Sequence, residues 1–298
     1  MNAATERSRN EDGPESRSVT GPIDGEALSI GSGFVARSFR AKDVGSAMDP
    51  LVLVDHYIMT EPTFGTHPHA GLSAVSLIFE DSDGRFHNRD SLGNDFDLLP
   101  GDLYWMKAGR GALHNESPRE GSRTHGLQIF VNLPQDRRYE EPSSLLVRRQ
   151  DMPLLSDRGY SVHVAMGESN GVVGATSPAL PMTVLDGKLS ANGSFEHALA
   201  GGRTAWVQAV NGDIGATVLA NNTRLRQGQG IVVDNTESDE ALIVRLSAIN
   251  HSQAQFALLD GRALKEPYVQ QGPFVMGSRE EIDAANQAFN AGQFGSID

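Results

Sequence analysis

The sequence predicts an all-β protein with two barrel or sandwich domains in tandem. Its 298 residues suit two domains at ~150 residues each. The apolar residues fall into short runs that alternate with turn residues every ten positions or so, a spacing typical of small barrels and sandwiches. Because most of these runs are shorter than a typical helix, they favour strands.

The predicted strands follow the same rhythm in both halves of the chain. Those of the N-terminal half are 51–57, 75–79, 103–106 and 126–133, and those of the C-terminal half are 160–166, 204–210, 216–219, 230–233 and 241–249. Turn sequences such as Asp83-Gly84 and Pro100-Gly101-Asp102 bound them. We therefore expect two β domains of similar design.

A polar segment that carries a proline separates the two halves. The predicted division is a disordered leader at 1–25, an N-terminal domain at 26–134, a linker at 135–143, a C-terminal domain at 144–277, and a helix with its tail at 278–298. The leader is rich in Ser, Glu, Arg and Gly and has no aliphatic periodicity. Such a segment buries too little apolar surface to offset its loss of conformational entropy.

One helix is predicted, close to the C-terminus. Ser278 and Glu281 have the spacing of a capping box, and Ile282, Ala285 and Phe289 follow on one helical face. An apolar stripe of this kind indicates a helix that packs against the rest of the protein.

The composition excludes several classes of function. The chain has no cysteine, so disulfides, cysteine-ligated zinc sites, iron-sulfur clusters and thiol catalysis are all excluded. A net charge of -13 without any long basic run argues against direct binding of DNA or RNA. No run approaches the ~20 apolar residues of a membrane span, and the N-terminus has no signal-peptide core. We expect a cytoplasmic protein that does not bind membranes.

Two pairs of residues have the spacing of metal ligands. His67 and His69 flank Pro68, and His114 and Glu116 flank Asn115. In an extended chain residues i and i+2 point to the same face, so each pair can present two ligand atoms to one point. Three imidazoles and a carboxylate suit Fe(II), Mn, Ni, Co, Cu or Zn.

Several ordered motifs resemble those of the pirin family, a group of proteins with two cupin barrels. They are HPHAG at 67–71, RDSLGN at 89–94, PGDLYWMKAGRGALHNE at 100–116, HGLQIFVNLP at 125–134 and GPFVM at 272–276. The resemblance implies one metal ion, usually iron, in the N-terminal cupin, held by His67, His69, His114 and Glu116. It also implies an activity, the oxygen-dependent opening of a flavonol ring by a quercetin 2,3-dioxygenase, in which we expect Glu116 to act as the catalytic base.

The chain departs from the family pattern near the first histidine pair. Ala70 and Ser73 stand where the family commonly has arginine and glutamate, and Lys107 stands where threonine is common. The ligands themselves are unchanged. The departures therefore concern hydrogen bonds around the ligands, surface charge or partner contacts.

The second domain is expected to be metal-free. Its internal alignment with the first domain puts His197 at the place of the first histidine pair and Ala241 at the place of His114. The spacing of a cupin is thus present without its ligands. His197 is interpreted as an ordinary histidine, and Leu53 and Phe130 as barrel interior.

Three functions remain open from the sequence. The first is a dioxygenase that takes O2 and a small aromatic, flavonol-like substrate at the metal. The second is a non-enzymatic regulatory protein whose metal or redox state controls binding of a transcriptional or metabolic protein partner. The third is a closed metal site that only stabilises the barrel. A cavity over His114 too small for a three-ring ligand favours the regulatory function.

Overall fold

The computed structural model of the chain describes residues 18 to 297, which form two barrels of the same design. The strands up to residue 150 are β1 (Ser18–Val19), β2 (Glu26–Ile30), β3 (Phe34–Arg40), β4 (Leu51–Met59), β5 (His67–His69), β6 (Leu72–Ile78), β7 (Phe86–Asp90), β8 (Asp95–Leu98), β9 (Leu103–Lys107), β10 (Ala112–Pro118), β11 (Thr124–Asn132) and β12 (Ser143–Val147). The two helices are α1 (Ala41–Val44) and α2 (Arg279–Asn290), and short 3-10 turns lie at Ser46–Met48, Gln135–Arg137 and Arg149–Asp151.

The remaining strands build the second barrel and a C-terminal hairpin. They are β13 (Leu154–Asp157), β14 (Tyr160–Met166), β15 (Glu168–Ser169), β16 (Val172–Val173), β17 (Met182–Leu189), β18 (Ser194–Leu199), β19 (Arg203–Asn211), β20 (Ile214–Val218), β21 (Asn221–Leu225), β22 (Gly230–Asn235), β23 (Leu242–Ala248), β24 (Ala254–Arg262), β25 (Val269–Gln271) and β26 (Phe274–Met276). Each run that the sequence predicts as a strand contributes to one of these strands, so the prediction of an all-β fold is confirmed.

Each barrel is made of a seven-stranded and a four-stranded sheet. In the first barrel the orders are β12-β9-β6-β11-β4-β3-β2 and β5-β10-β7-β8. In the second they are β1-β22-β19-β24-β17-β14-β13 and β18-β23-β20-β21. Because the orders match, β5 and β18 occupy equivalent positions in the two small sheets, and so do β10 and β23. The two barrels are therefore repeats of one topology.

The large sheets are buried on both faces because the two barrels pack against each other through them. On β6, Val75 and Leu77 join a core cluster that also contains Trp206 of the second barrel, whereas Ala74 and Ile78 join the core inside the first barrel. Successive side chains of a strand point to opposite faces. The same alternation therefore fills both the barrel interior and the contact between barrels.

The N-terminal segment extends the sheet of the second barrel. Residues 1–17 of the predicted leader lie outside the described residues, but Ser18 and Val19 pair with Asp234 and Val233 of β22, and Ile23 bridges to Gly230. The leader prediction is therefore wrong for residues 18–25. The edge of β22 offers backbone partners, and pairing with them satisfies the polar groups of this segment despite its low hydrophobicity.

The C-terminal hairpin packs on the first barrel, although the sequence places residues up to 277 in the second domain. Val275 N donates to Ala70 O over 3.0 Å, and Phe274 forms a parallel bridge with Ala70. Phe274, Leu113 and Ile282 belong to one buried cluster. The C-terminal hairpin, although distant in the sequence, thus covers apolar surface beside β5 and β10.

Helix α2 begins at the predicted cap. Ser278 Oγ accepts a hydrogen bond from Glu281 N, while Glu281 Oε2 accepts one from Gly277 N at 2.7 Å rather than from Ser278 N. Ile282 and Ala285 are buried, whereas Phe289 is 37% exposed. The helix start is confirmed, and the buried stripe is narrower than predicted. Among the described residues, no helix is long and apolar enough to cross a membrane.

Replacing Gly71 with alanine is expected to lower the free energy of unfolding by about 3 kcal/mol or more, because strain and overpacking act together. Gly71 has a φ of +73°, and a Cβ there would lie 1.8 Å from Val275 O in the C-terminal hairpin. Gly93 is the matched control, because its φ is +88° and a Cβ there would meet nothing within 4 Å. Gly93→Ala should cost about 1 kcal/mol. Urea denaturation of the two variants without metal measures the free energy of unfolding. Equal losses of this free energy would contradict the close contact between Gly71 and Val275.

Candidate metal centre

The pairing of β5 with β10 brings the three predicted histidines together. In the antiparallel register His114 lies opposite His67, and Ala112 lies opposite His69. His67 and His69 share a face because they are two residues apart on one strand. The three side chains form a group whose ligand atoms all lie within 4.8 Å of one another. The structure therefore confirms that these histidines can bind a metal ion together.

The ring nitrogens that converge are the Nε2 atoms. His114 Nε2 lies 2.9 Å from His67 Nε2 and 3.0 Å from His69 Nε2. On the opposite side of two rings, His67 Nδ1 lies 2.8 Å from Gly65 O and His69 Nδ1 lies 3.3 Å from Pro273 O. A backbone carbonyl can only accept, so each Nδ1 carries the proton and each Nε2 keeps its lone pair.

Burial keeps the imidazoles neutral. It lowers the pKa of His69 to about 3, and it also lowers the pKa of His67 and that of His114. Neutral imidazoles whose Nε2 atoms face one another are suited to bind a divalent cation between them. The donor set therefore fits a borderline first-row ion.

Glu116 lies beside the histidine group. Its Oε2 is 3.8 Å from Nδ1 of His114, and Ser76 Oγ lies 2.8 Å from Oε1 and 3.0 Å from Oε2. Burial raises the pKa of this carboxyl to about 7, and a bound cation would lower it again. The structure does not place Glu116 in the group of converging ligand atoms, so its role as fourth ligand stays a prediction.

A cavity of about 160 Å³ opens over the histidines. It is lined by Phe34, Leu53, Asp55, Tyr57, Met59, Phe64, His67, His69, Phe86, His114, Glu116, Gln128 and Phe130. Its walls are mainly apolar, as in other small-molecule sites. Phe130 packs edge-on against His69 with ring centroids 5.1 Å apart. Leu53 and Phe130 are thus not merely barrel interior but part of the cavity wall.

Three polar atoms of the cavity wall were missed by the sequence analysis. Asp55 Oδ1, Tyr57 OH and Gln128 Nε2 are buried and have no hydrogen-bond partner among the described residues. Buried polar groups of this kind are suited to fix the orientation of a ligand. A signal was present in β4, a largely apolar strand in which Asp55 lies on the same face as Leu53 and Tyr57.

The departures from the family pattern lie away from the converging nitrogens. Ala70 is fully buried against the C-terminal hairpin. Ser73 is also fully buried, and its Oγ has no partner among residues 18–297. Lys107 is buried as well and pairs with Glu140 over 2.7 Å. All three leave the histidine group intact. Ala70 connects β5 to the C-terminal hairpin, and Lys107 connects β9 to the linker.

His197 occupies the corresponding place in the second barrel. It lies on β18, the equivalent of β5, and both its ring nitrogens are hydrogen-bonded, to Ser169 and to Asp260. Its surroundings are therefore those of a polar cluster of side chains. The absence of metal from this barrel stays a prediction.

Both halves of the chain match known families. Residues 30–131 match the family model described as pirin, and residues 184–295 match the pirin C-terminal cupin domain. Pirin from Homo sapiens is 30% identical over 271 residues, which is 91% of each chain. The crystal structure of a quercetin 2,3-dioxygenase from Acinetobacter baumannii has a TM-score of 0.82 at 28% identity, and the match covers 95% of this chain and 100% of that one. A bacterial pirin in complex with nickel(II) from Escherichia coli has a TM-score of 0.63 at 17% identity, with 83% and 100% covered.

Proposed function

The chain belongs to the pirin family, and on that premise we propose that it is a metal-dependent dioxygenase of a flavonol such as quercetin. The observation that carries the proposal is the convergence of three neutral imidazoles at an apolar cavity. Such a site combines metal ligands with walls that accept an aromatic ring. The relative from Acinetobacter baumannii, which bears the name quercetin 2,3-dioxygenase, supports the same activity.

His67, His69 and His114 would hold the metal through Nε2, with Glu116 as the further ligand. A divalent ion bound there would supply Lewis acidity toward the substrate hydroxyl and redox chemistry toward dioxygen. We propose Fe(II), the ion that the family resemblance implies. Imidazole also suits Ni, Cu and Zn, and the Escherichia coli relative is described in complex with nickel(II).

Glu116 would receive the proton of the flavonol 3-hydroxyl. Its carboxylate is buried next to the histidines and is held by Ser76 Oγ at 2.8 Å. Burial raises the pKa of this carboxyl to about 7 in the metal-free site, and a bound cation would lower it, so the carboxylate would be ionised and able to accept a proton near neutral pH. The proposed base therefore lies where the hydroxyl of a substrate at the histidine group would be.

The apolar wall would orient the substrate and exclude water. Phe34 and Phe64 pack edge-on with centroids 5.1 Å apart, and Phe64 lies 6.3 Å from the ring of His67. Aromatic walls favour planar rings through offset and edge contacts. Asp55 and Gln128 offer buried polar atoms for the hydroxyl groups of such a substrate.

Oxygen uptake with quercetin tests the proposed function. The metal-free full chain is reconstituted without oxygen with Fe(II), Mn, Ni, Co or Cu, and uptake is followed after quercetin and oxygen are added. We expect uptake above the metal-only and quercetin-only rates with at least one metal. Stoichiometric metal binding without turnover for every metal would contradict the dioxygenase function.

A non-enzymatic, metal-dependent regulatory function is the second candidate, and the size of the cavity favours it. The volume of about 160 Å³ lies below the ~300 Å³ at which pockets enclose a drug-sized ligand. A flavonol would thus insert only its hydroxy-keto edge and part of its ring system unless the walls move. Metal binding without oxygen uptake in the experiment above would contradict the enzyme and leave the regulatory function and a purely structural metal site.

A further inference from the structure

The second barrel contains a serine, a histidine and an aspartate in hydrogen-bonded sequence. Ser169 Oγ lies 2.9 Å from His197 Nδ1, and His197 Nε2 lies 2.8 Å from Asp260 Oδ2. All three side chains are buried. A nucleophile, a base and a group that orients the base are the parts of a catalytic triad, which is recognised by geometry and not by fold or chain order.

The charge of Asp260 determines the tautomer of His197. Asp260 Oδ1 accepts a hydrogen bond from Nε of Arg203, so the carboxylate is paired with a permanent cation. Its Oδ2 then accepts the Nε2–H of His197, which leaves the Nδ1 lone pair to accept the hydroxyl proton of Ser169. The direction of the bonds is therefore the one that general-base activation of a serine requires.

An open cleft lies beside the buried serine. Ser169, Arg203 and Asp260 line a cleft of about 630 Å³, together with small apolar side chains that include Ala175 and Ala198. The cleft lies at the mouth of the second barrel, beside β18, where the first barrel has its histidine group on β5. Barrel mouths are common sites for small ligands.

A tight hairpin holds Ser169 in place. Ser169 pairs with Val172 across a two-residue loop in which Asn170 has a φ of 49° and Gly171 a φ of 76°, as in type I′ turns. Gly167 has a φ of +74°, and a Cβ there would lie 2.4 Å from Met182 O. The backbone around Ser169 is thus specified by residues that permit positive φ and close approach. The pattern G-x-S-x-G at 167–171 lies in a hairpin and not between a strand and a helix, so it is not the nucleophile elbow of α/β-hydrolases.

We propose that Ser169, His197 and Asp260 form a second site, which hydrolyses esters with a small acyl group. Ser169 Oγ bonds to the ester carbonyl carbon while its proton moves to His197 Nδ1. The carbon–oxygen bond to the alcohol then breaks, and the alcohol leaves with that proton. Water then attacks the acyl carbon while one of its protons moves to His197 Nδ1, and the bond from that carbon to Ser169 Oγ breaks. Oγ takes the proton back, and the carboxylic acid is released. Arg203, which lines the same cleft, would add positive charge that favours the oxyanion.

Covalent labelling tests this site directly on the full chain. A fluorophosphonate probe should modify the metal-free protein on the peptide that contains Ser169, at one equivalent, as located by mass spectrometry. Hydrolysis of p-nitrophenyl acetate should fall by about 100-fold or more in Ser169→Ala and in His197→Gln, and labelling should disappear in both. Ser194→Ala is the matched control and should keep both labelling and rate, because Ser194 is exposed on β18 and lies outside the residues that line the cleft.

The site is independent of the metal centre, which gives the test its second readout. Labelling should be the same with and without added metal. The proposal is overturned if the folded wild-type protein takes up no probe, or if the adduct persists in Ser169→Ala. The wild-type result does not depend on whether a variant folds, so a structural role of the hydrogen-bonded cluster cannot mimic the expected outcome.

Discussion

Replacing His114 with alanine is expected to abolish stoichiometric metal binding. His114 Nε2 lies within hydrogen-bond distance of both other Nε2 atoms, so it stands at the centre of the group. Loss of an outer partner of a metal ligand costs 10- to 100-fold in affinity, and loss of the ligand itself should cost more than about 100-fold. Metal analysis of the purified protein and titration with Ni(II) would measure this change.

His87 provides the control for that experiment. It lies on β7 of the same sheet, opposite Ser117, and pairs with the exposed Asp95. His87→Ala should therefore retain one metal per chain. Metal should also raise the melting temperature of the wild type and of His87→Ala but not that of His114→Ala. A metal ion stabilises the folded protein only if it binds to it. An unchanged affinity in His114→Ala would refute the proposed ligand set.

Replacing Glu116 with glutamine is expected to lower flavonol turnover by roughly 10²- to 10⁴-fold. Glutamine keeps the shape of the side chain and can still accept the hydrogen bond of Ser76 Oγ, but it cannot take a proton from the substrate. The variant should retain at least part of its metal, because the three imidazoles are unaffected. Oxygen uptake normalised to bound metal would measure the loss.

The matched control for Glu116 is an exposed carboxylate. Glu120 lies exposed in the turn between β10 and β11, and Glu120→Gln makes the same change of charge away from the cavity. It should leave turnover within about twofold, as surface substitutions usually do. Full activity in Glu116→Gln would refute the role of base, and complete loss of its metal would show that the residue acts mainly as a ligand.

The strands were predictable because their side chains alternate with a period of two. The apolar runs at 51–57 and 126–133 predict β4 and β11, and the two-residue spacing of His67 and His69 predicts that both face one side. This local rule needs no knowledge of the fold. It did not predict β1, since the weakly apolar Ser18 and Val19 form a strand only because the edge of β22 is available to pair with them.

The details of the site were less predictable because they depend on contacts between distant segments. Gln128 and Asp55 stand in strands that read as core, and only barrel closure turns their side chains toward the histidines. Pro273, whose carbonyl oxygen orients His69, lies more than two hundred positions away in the sequence. The volume of the cavity likewise follows from packing and not from any one motif.

By itself the sequence determined the all-β class, the two repeated domains and which three histidines form the candidate metal site, because strand periodicity and ligand spacing are local properties. Only the tertiary structure shows that Glu116 lies beside the three histidines, where Ser76 Oγ is hydrogen-bonded to its carboxylate. It also decided that Ser169, His197 and Asp260 meet in the second barrel. Their separation along the chain is bridged by strand pairing, and no local pattern encodes that approach.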